Sequence, residues 1–296
     1  MYAVRVAQPL KDSPRAVLGE GPIWDERRDI LYWVDIMGGK IYSYDALKGK
    51  FDVLIKINDY VTCVALTSDP NFLLVTLKDR VALVDISKKV IARILAKIDE
   101  PESNRLNDCK VDAAGRLWFG SMDMNERSPS GSLYVLEPNG VVRKVLSGVT
   151  ISNGIAWSLD NRYMYYIDSP TKKVMVFNYD INNGRLLSKV MDIDLSKYNG
   201  VPDGMTMDSQ GYLWVAIYGD GRVLRIDAER GIVVDEVKVS VPYTTSCVFG
   251  GPAFSTLFIT TARNFPRDVE RDSDDGKLHF LNLDVGGYAL YKYKLI

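Results

Sequence analysis

The chain has 296 residues, of which 47% are hydrophobic and 25% charged, and its formal net charge at pH 7 is -1. This composition is typical of a folded globular protein and excludes the disordered and collagen-like classes. Because acids and bases are interspersed and nearly balanced, we expect neither nucleic acid nor a membrane surface as a partner.

The N-terminal segment lacks the continuous apolar stretch of a signal peptide, and no later segment reaches the roughly 20 apolar residues of a membrane helix. We therefore expect a cytoplasmic protein. Its three cysteines, Cys63, Cys109 and Cys247, are odd in number and have no CxxC spacing. We accordingly expect three small buried side chains, without a disulfide framework or a thiolate metal site.

One short apolar and aromatic strand recurs six times, and successive copies begin 41, 45, 47, 49 and 44 residues apart. The copies are residues 31–34, 72–75, 117–120, 164–167, 213–216 and 257–260. Within each repeat, Gly, Asn and Asp at the turns separate four short strands. This pattern predicts an all-β, six-bladed β-propeller with four antiparallel strands per blade and a single domain over residues 1–296. A β-sandwich would not carry one local motif through the whole chain.

Closure of the propeller ring requires an additional strand, since an open ring exposes sheet edges. Residues 2–6 and 288–295 are predicted as strands that share one blade. Two polar insertions, at residues 125–130 and 264–275, are predicted to overhang the face of the ring where the repeats carry polar residues. The alternative for both loops is surface elaboration without a role in function.

The residues 10 or 11 positions before each recurrent strand would meet around the propeller axis. They are Glu20, Val61, Asn107, Asn153, Asp203 and Ser246. Carboxylate and amide oxygens suit a hard divalent cation such as Ca²⁺, Mg²⁺ or Mn²⁺. The alternative for each polar residue is a turn cap at the start of a strand. Val61 marks an apolar side of the ring, where no ligand is expected, and the role of Ser246 stays open.

The chain contains a single histidine, His279, in the third strand of the last repeat. A His-rich zinc site is therefore excluded, and a Ser-His-Asp triad would have to use a residue far from the axis. No Gly-rich phosphate loop is present, so nucleotide chemistry has no support.

Five segments resemble the signature segments of the SMP-30/gluconolactonase/regucalcin family, in order and at compatible spacing. They are LGEGPIW at 18–24, RLNDCKVD at 105–112, ISNG at 151–154, VPDGM at 201–205 and TTSCVFGG at 244–251. The resemblance implies a six-bladed propeller and one divalent metal held by Glu20, Asn153 and Asp203. It also implies that Arg105 and Asn107 hold the hydroxyls or carbonyl of a sugar.

Regucalcin-like members carry a glutamate as a further substrate contact, where this chain has Asn125 with Glu126 next to it. The alternative role for Arg105 is a structural ion pair with Glu102 or Asp108.

The expected activity is hydrolysis of an aldonolactone such as gluconolactone, with the metal as Lewis acid and Asp203 as ligand and general base. Ca²⁺ is favoured, and Zn²⁺, Mn²⁺ and Mg²⁺ remain open. A calcium-binding regulatory propeller without turnover is the alternative, and phosphotriesterase or luciferin-regenerating activity is a third option by analogy. The expected partner is a small sugar lactone, and the expected assembly is a monomer or weak homodimer.

Overall fold

The computed structural model describes residues 5–263 and 273–296 of the chain. This part contains 24 β-strands, two single-turn 3-10 helices at Ser169–Thr171 and Pro252–Phe254, and no α-helix. The predicted all-β class is therefore confirmed. Within the same ranges, no helix is long and apolar enough to span a bilayer.

Four separate sheets each contain four antiparallel strands that are consecutive in the chain. The first sheet contains β2 (Gly19–Asp25), β3 (Ile30–Asp35), β4 (Lys40–Asp45) and β5 (Lys50–Lys56). The second contains β6 (Val61–Leu66), β7 (Phe72–Leu77), β8 (Arg80–Asp85) and β9 (Val90–Lys97). The third contains β10 (Asn104–Val111), β11 (Leu117–Asp123), β12 (Gly131–Leu136) and β13 (Val142–Val149). The fourth contains β14 (Ser152–Trp157), β15 (Tyr163–Asp168), β16 (Lys173–Asp180) and β17 (Arg185–Asp194).

The other strands form one eight-stranded sheet. They are β1 (Arg5–Pro9), β18 (Val201–Met207), β19 (Leu213–Tyr218), β20 (Arg222–Asp227), β21 (Ile232–Val239), β22 (Thr244–Gly250), β23 (Thr256–Thr261) and β24 (His279–Asn282). Their order is β18-β19-β20-β21-β1-β24-β23-β22. β1 pairs in parallel with β21 and antiparallel with β24, so the N-terminal strand joins two sets of antiparallel strands.

The first strands of the repeats form a closed ring. β2 contacts β6, and the contacts continue through β10, β14, β18 and β22 back to β2. Every residue of β6, β14 and β22 is buried, whereas β9, a fourth strand, is largely exposed. Apolar clusters fill the space between neighbouring sheets, as where Val34 of the first sheet joins Leu73 of the second. The first strands are therefore the inner edges of the sheets.

The predicted strand at residues 288–295 was wrong. This segment makes one isolated bridge, between Thr67 and Tyr293, and the neighbour of β1 is β24 instead. Residues 2–4 of the predicted N-terminal strand lie outside the described residues. The periodicity misled because alternating apolar residues also suit an extended segment that packs across the ends of several sheets.

Residues 286–294 cross the end of the ring where the first strands finish. Hydrogen bonds tie this C-terminal segment to the turn after each first strand, as in Tyr293 N to Leu66 O at 2.8 Å and Lys294 N to Gly115 O at 3.0 Å. The partners are Leu66, the last residue of β6, and the turn residues Glu26, Ser68, Gly115, Asn161, Ser209 and Phe254. The segment therefore connects the turns of all the repeats.

Cys63 on β6 and Cys109 on β10 form a disulfide, with their Cα atoms 5.9 Å apart. The expectation of three unbonded thiols was wrong for this pair. The two cysteines occupy adjacent first strands of the ring, at a Cα separation that a disulfide requires. Cys247 is the one free cysteine of the described residues; it is buried, as expected, and burial raises its pKa to about 12.

Candidate functional site

Each first strand is irregular at the position of its predicted ring residue. The register with the second strand shifts after Glu20 in β2, around Asn107 in β10, around Asn153 in β14 and around Asp203 in β18. A bulge of this kind bends a strand and re-aims its side chains. The bulges therefore direct these polar side chains away from the apolar contacts between sheets and toward the centre of the ring.

Equivalent positions of neighbouring repeats lie against one another. A Cβ atom on Gly154 would lie 2.7 Å from the carbonyl oxygen of Asp203, and one on Gly204 would lie 2.1 Å from Ser246 Oγ. Only glycine permits this approach of two backbones. The glycines that follow Asn153 and Asp203 thus bring the site-bearing strands together.

Glu20 and Asp203 are two buried carboxylates at this place. Burial, and after it the charge of Asp108, raises the pKa of Glu20 to about 8. Burial, and after it the charge of Glu20, raises the pKa of Asp203 well above its usual value. In the described part of the chain neither carboxylate has a Lys or Arg within ion-pair distance. Asp203 Oδ1 is also buried without a hydrogen-bond partner.

Arg105 lies beside these carboxylates and is only 7% exposed. Its Nη1 donates to Leu106 O at 3.0 Å and to Asn107 Oδ1 at 2.5 Å. Burial lowers its pKa, whereas Glu20 and then Glu126 act in the opposite direction. Across residues 5–263 and 273–296, the guanidinium forms no ion pair with Glu102 or Asp108 and its hydrogen bonds use Nη1, so its Nε and Nη2 hydrogens remain for a ligand.

Asn107 and Asn153 bond to each other across the interface between β10 and β14. Asn107 Nδ2 donates to Asn153 Oδ1 and to Ser152 O, both at 2.7 Å. Asn107 Oδ1 already accepts from Arg105, so only its second lone pair is open to a substrate. Arg105, Asn107 and Asn153 are thus joined by hydrogen bonds, and the charges of Glu20 and Asp203 act on Arg105 beside them.

The insertion at 125–130 follows β11 and lies at the same end of the ring, because Asp123 pairs with Asn104 next to Arg105. Glu126 is exposed, yet its charge contributes to the raised pKa of Asp203. Asn125 is also exposed, and its Nδ2 donates to Asp123 Oδ1 at 3.2 Å within the loop. The second insertion, at 264–275, lies outside the described residues except for 273–275.

The donor set fits a hard divalent cation. The described residues bring no three His, Cys, Asp or Glu side chains together as a metal cluster, and the candidate ligands are two carboxylates and the amide of Asn153. Asp203 Oδ1 is buried without a hydrogen-bond partner, although the Arg105 charge acts on this carboxylate, so the oxygen remains open to a cation. Oxygen donors of this mixture are typical of Ca²⁺ and Mg²⁺ sites.

The sequence reasoning missed Ser169 and Tyr218 near the site, and it considered Asp108 only as an ion-pair partner of Arg105. Ser169, 1% exposed, hydrogen-bonds to Asn153. The pKa of Tyr218 is raised by burial and then by the charge of Asp203, and the pKa of buried Asp108 is raised mainly by burial. Tyr218 ends a second strand and Ser169 follows one, so comparing strand ends among the repeats could have found both. Asp108 follows Asn107 in the motif at 105–112.

A narrow cavity lies between the first strands, on the side of the ring where the C-terminal segment crosses. Its lining includes the Cys63–Cys109 disulfide, Asp108, Lys110 and Ser246, with Leu290 of the C-terminal segment. Val61 is fully buried in the apolar cluster between the first two sheets. That no ligand lies at Val61 stays a prediction.

Known proteins resemble this chain over its full length. A protein of Sulfolobus acidocaldarius without an assigned function is 42% identical, and the alignment covers 94% of this chain and 97% of the Sulfolobus protein. YvrE of Bacillus subtilis, named provisionally as a sugar lactone lactonase, is 37% identical, and the alignment covers 94% of this chain and 96% of YvrE. The crystal structure of regucalcin from Agrobacterium tumefaciens, described as a calcium-binding protein, superposes with a TM-score of 0.90 at 26% identity and covers 100% of both chains.

The sequence profile of one family also matches most of the chain. This family is described as the SMP-30/Gluconolactonase/LRE-like region, and the match spans residues 18–263. It begins next to Glu20 and ends beyond Ser246, so it contains all the ring residues. The chain therefore belongs to the SMP-30/gluconolactonase/LRE-like family.

Proposed function

We propose that the protein hydrolyses a sugar lactone, such as gluconolactone, to the aldonic acid with the help of one divalent metal ion. One observation carries the proposal. The buried carboxylates of Glu20 and Asp203, with an unpartnered Asp203 Oδ1, lie beside an Arg105 guanidinium that keeps free N–H groups. The family and the lactonase name of YvrE support a lactone as the substrate class.

Glu20, Asn153 and Asp203 would hold the cation through oxygen atoms, and we favour Ca²⁺ over Zn²⁺, Mn²⁺ or Mg²⁺. When bound, the cation would polarise the lactone carbonyl as a Lewis acid and favour the ionised forms of both carboxylates. The calcium-binding description of the Agrobacterium protein supports this choice of ion.

Asp203 would act as the general base. It removes a proton from a water molecule whose oxygen bonds to the lactone carbonyl carbon. The ring C–O bond then breaks, and the proton passes to the ring oxygen, which becomes a hydroxyl group of the aldonic acid. Hydrolysis in this form needs no serine nucleophile and no histidine.

Arg105 and Asn107 would hold the hydroxyls or carbonyl of the lactone. The free N–H groups of Arg105 can donate in pairs, which suits vicinal hydroxyls. Asn107 can offer one lone pair of Oδ1. Glu126, whose charge reaches the site, is the better placed of the two loop residues, because the Asn125 amide is bonded to Asp123.

We also propose a single domain of six blades over residues 1–296. The ring of six first strands supports this count, with the eight-stranded sheet divided into two blades that β1 joins. We propose a monomer or weak homodimer in the cytoplasm. The Cys63–Cys109 disulfide is compatible with a cytoplasm that tolerates such bonds, as in hyperthermophiles.

A pH-stat assay of gluconolactone hydrolysis tests the proposal. Wild-type protein with added Ca²⁺ should release acid faster than the uncatalysed reaction, and Asp203→Ala should lose this activity while its circular dichroism is unchanged. Asp194→Ala, which alters an exposed carboxylate on an outer strand, is the matched control and should keep full activity. Full activity of a folded Asp203→Ala variant would overturn the mechanism.

Calcium binding without turnover is a second candidate, favoured by the description of the Agrobacterium protein. The free donors of Arg105 speak against it, because a purely cation-binding site has no use for a guanidinium beside the cation. A protein that binds Ca²⁺ but turns over no member of a panel of sugar lactones would favour this candidate.

A further inference from the structure

We propose that Ser169 is a positioning residue that sets which atom of the Asn153 side-chain amide is available to the cation. Ser169 lies in the 3-10 turn after β15, outside the segments that carry the family resemblance. The inference rests on the proposed metal site and assigns to that site a residue that touches neither metal nor substrate.

One end of the chain of hydrogen bonds through Ser169 is the carbonyl group of Pro202. Ser169 Oγ donates to Pro202 O at 2.6 Å. A carbonyl oxygen only accepts, so this bond uses the single hydrogen of the hydroxyl. Toward Asn153, Ser169 can therefore only accept, and it receives a hydrogen bond from Asn153 Nδ2 at 2.8 Å.

The other end is the guanidinium of Arg105, which only donates. Its Nη1 donates to Asn107 Oδ1, so the amide nitrogen of Asn107 faces Asn153 and donates to Asn153 Oδ1 at 2.7 Å. The hydrogen bonds thus run in one direction, from Arg105 through Asn107, Asn153 and Ser169 to Pro202 O. Reversal at any link would place two donors or two acceptors against each other.

This direction decides the chemistry at Asn153. The amide nitrogen is committed to Ser169, and the oxygen keeps one lone pair beyond the bond from Asn107. An amide oxygen can ligate a hard cation, whereas an amide nitrogen cannot. All members of the chain of bonds are buried, and Ser169 is 1% exposed, so water does not replace a missing partner at low cost.

The same contact links two predicted ligands. Pro202 precedes Asp203 on β18, and Asn153 lies on β14, so Ser169 joins the backbone next to one ligand to the side chain of the other. Outer-shell partners of this kind hold ligands in orientation, and their loss lowers metal affinity roughly 10- to 100-fold.

Calorimetric titration with calcium chloride tests the inference, with affinity as the readout and no substrate present. Ser169→Ala should weaken Ca²⁺ binding by roughly 10- to 100-fold, and Ser169→Thr, which keeps the hydroxyl, should restore most of it. Ser121→Ala is the matched control, because it removes a buried hydroxyl that bonds to Glu100 outside this chain of bonds. It should leave the affinity unchanged.

A double-variant cycle separates positioning from a general structural role. In an Asn153→Asp background both terminal atoms are oxygens, so orientation no longer matters and Ser169→Ala should cost little or no affinity. An equal loss of affinity in both backgrounds would overturn the inference, as would unchanged affinity in Ser169→Ala alone. If wild-type protein binds no divalent cation, the proposed metal-dependent function fails. If wild type binds Ca²⁺ and Ser169→Ala binds it equally well, only the role of Ser169 fails, so the two failures are distinguishable. If Ser169→Ala does not fold, the same cycle is run with Ser169→Cys, which is similar in shape and both accepts from Asn153 and donates to Pro202 O more weakly.

Discussion

The disulfide should make a measurable contribution to stability. Replacing Cys63 and Cys109 with alanine opens a loop defined by a sequence separation of 46 residues. In the chain-entropy description, a loop of that length stabilises the folded state by about 4 kcal/mol at 25 °C. For a chain of 296 residues, the usual unfolding entropy per residue converts this to a fall in Tm of about 6 °C.

Thermal unfolding with and without reductant measures this effect. Wild-type protein should lose about 6 °C on full reduction, and the Cys63→Ala/Cys109→Ala variant should unfold at that lowered Tm both with and without reductant. Thiol titration in denaturant verifies the redox state, since the chain has three cysteines: one should react before reduction and all three after it. An unchanged Tm in protein with three reactive thiols would refute the reasoning, because the bond would then not restrict the unfolded chain.

Three further perturbations have defined outcomes. Arg105→Lys keeps the charge but loses the forked donors, so kcat/KM for the lactone should fall roughly 10- to 100-fold; an unchanged value would remove Arg105 from substrate binding. Deleting residues 286–296 removes several hydrogen bonds to the turns and should lower the unfolding free energy by at least about 3 kcal/mol in urea, whereas deleting only the exposed Ile296 should not. Burial lowers the pKa of His279 below 6.5, so the unfolded chain takes up the proton first and stability should fall as the pH drops below 6.5. His279→Gln should flatten that part of the profile in urea unfolding at several pH values, and an identical slope would contradict the assignment.

The strand pattern and the ring residues were predictable from the sequence because both follow from local chemistry. Period-two apolar strands and Gly, Asn and Asp turns specify hairpins. Glu20, Asn153 and Asp203 stand out as polar residues, each followed by glycine, at the start of buried strands. The structure places them near Asn107, as the repeat offset led us to expect, and near Arg105, which only the family resemblance had singled out.

The disulfide, the C-terminal segment and Ser169 depend on contacts between repeats. Cys63 and Cys109 meet because their strands are neighbours in the ring, which their spacing in sequence does not reveal. Residues 288–295 have strand-like alternation, but they bond to the turns of several sheets. The role of Ser169 follows only from the direction of hydrogen bonds through Asn153 to Pro202.

We propose that turnover depends on one divalent cation at the Glu20, Asn153 and Asp203 site. The most direct measurement titrates calcium chloride into chelator-treated protein and follows gluconolactone hydrolysis in the pH-stat, with bound metal determined on the same samples. We expect no activity above the uncatalysed rate without metal and full activity near one bound ion per chain. Full turnover by protein shown to contain no metal would contradict it.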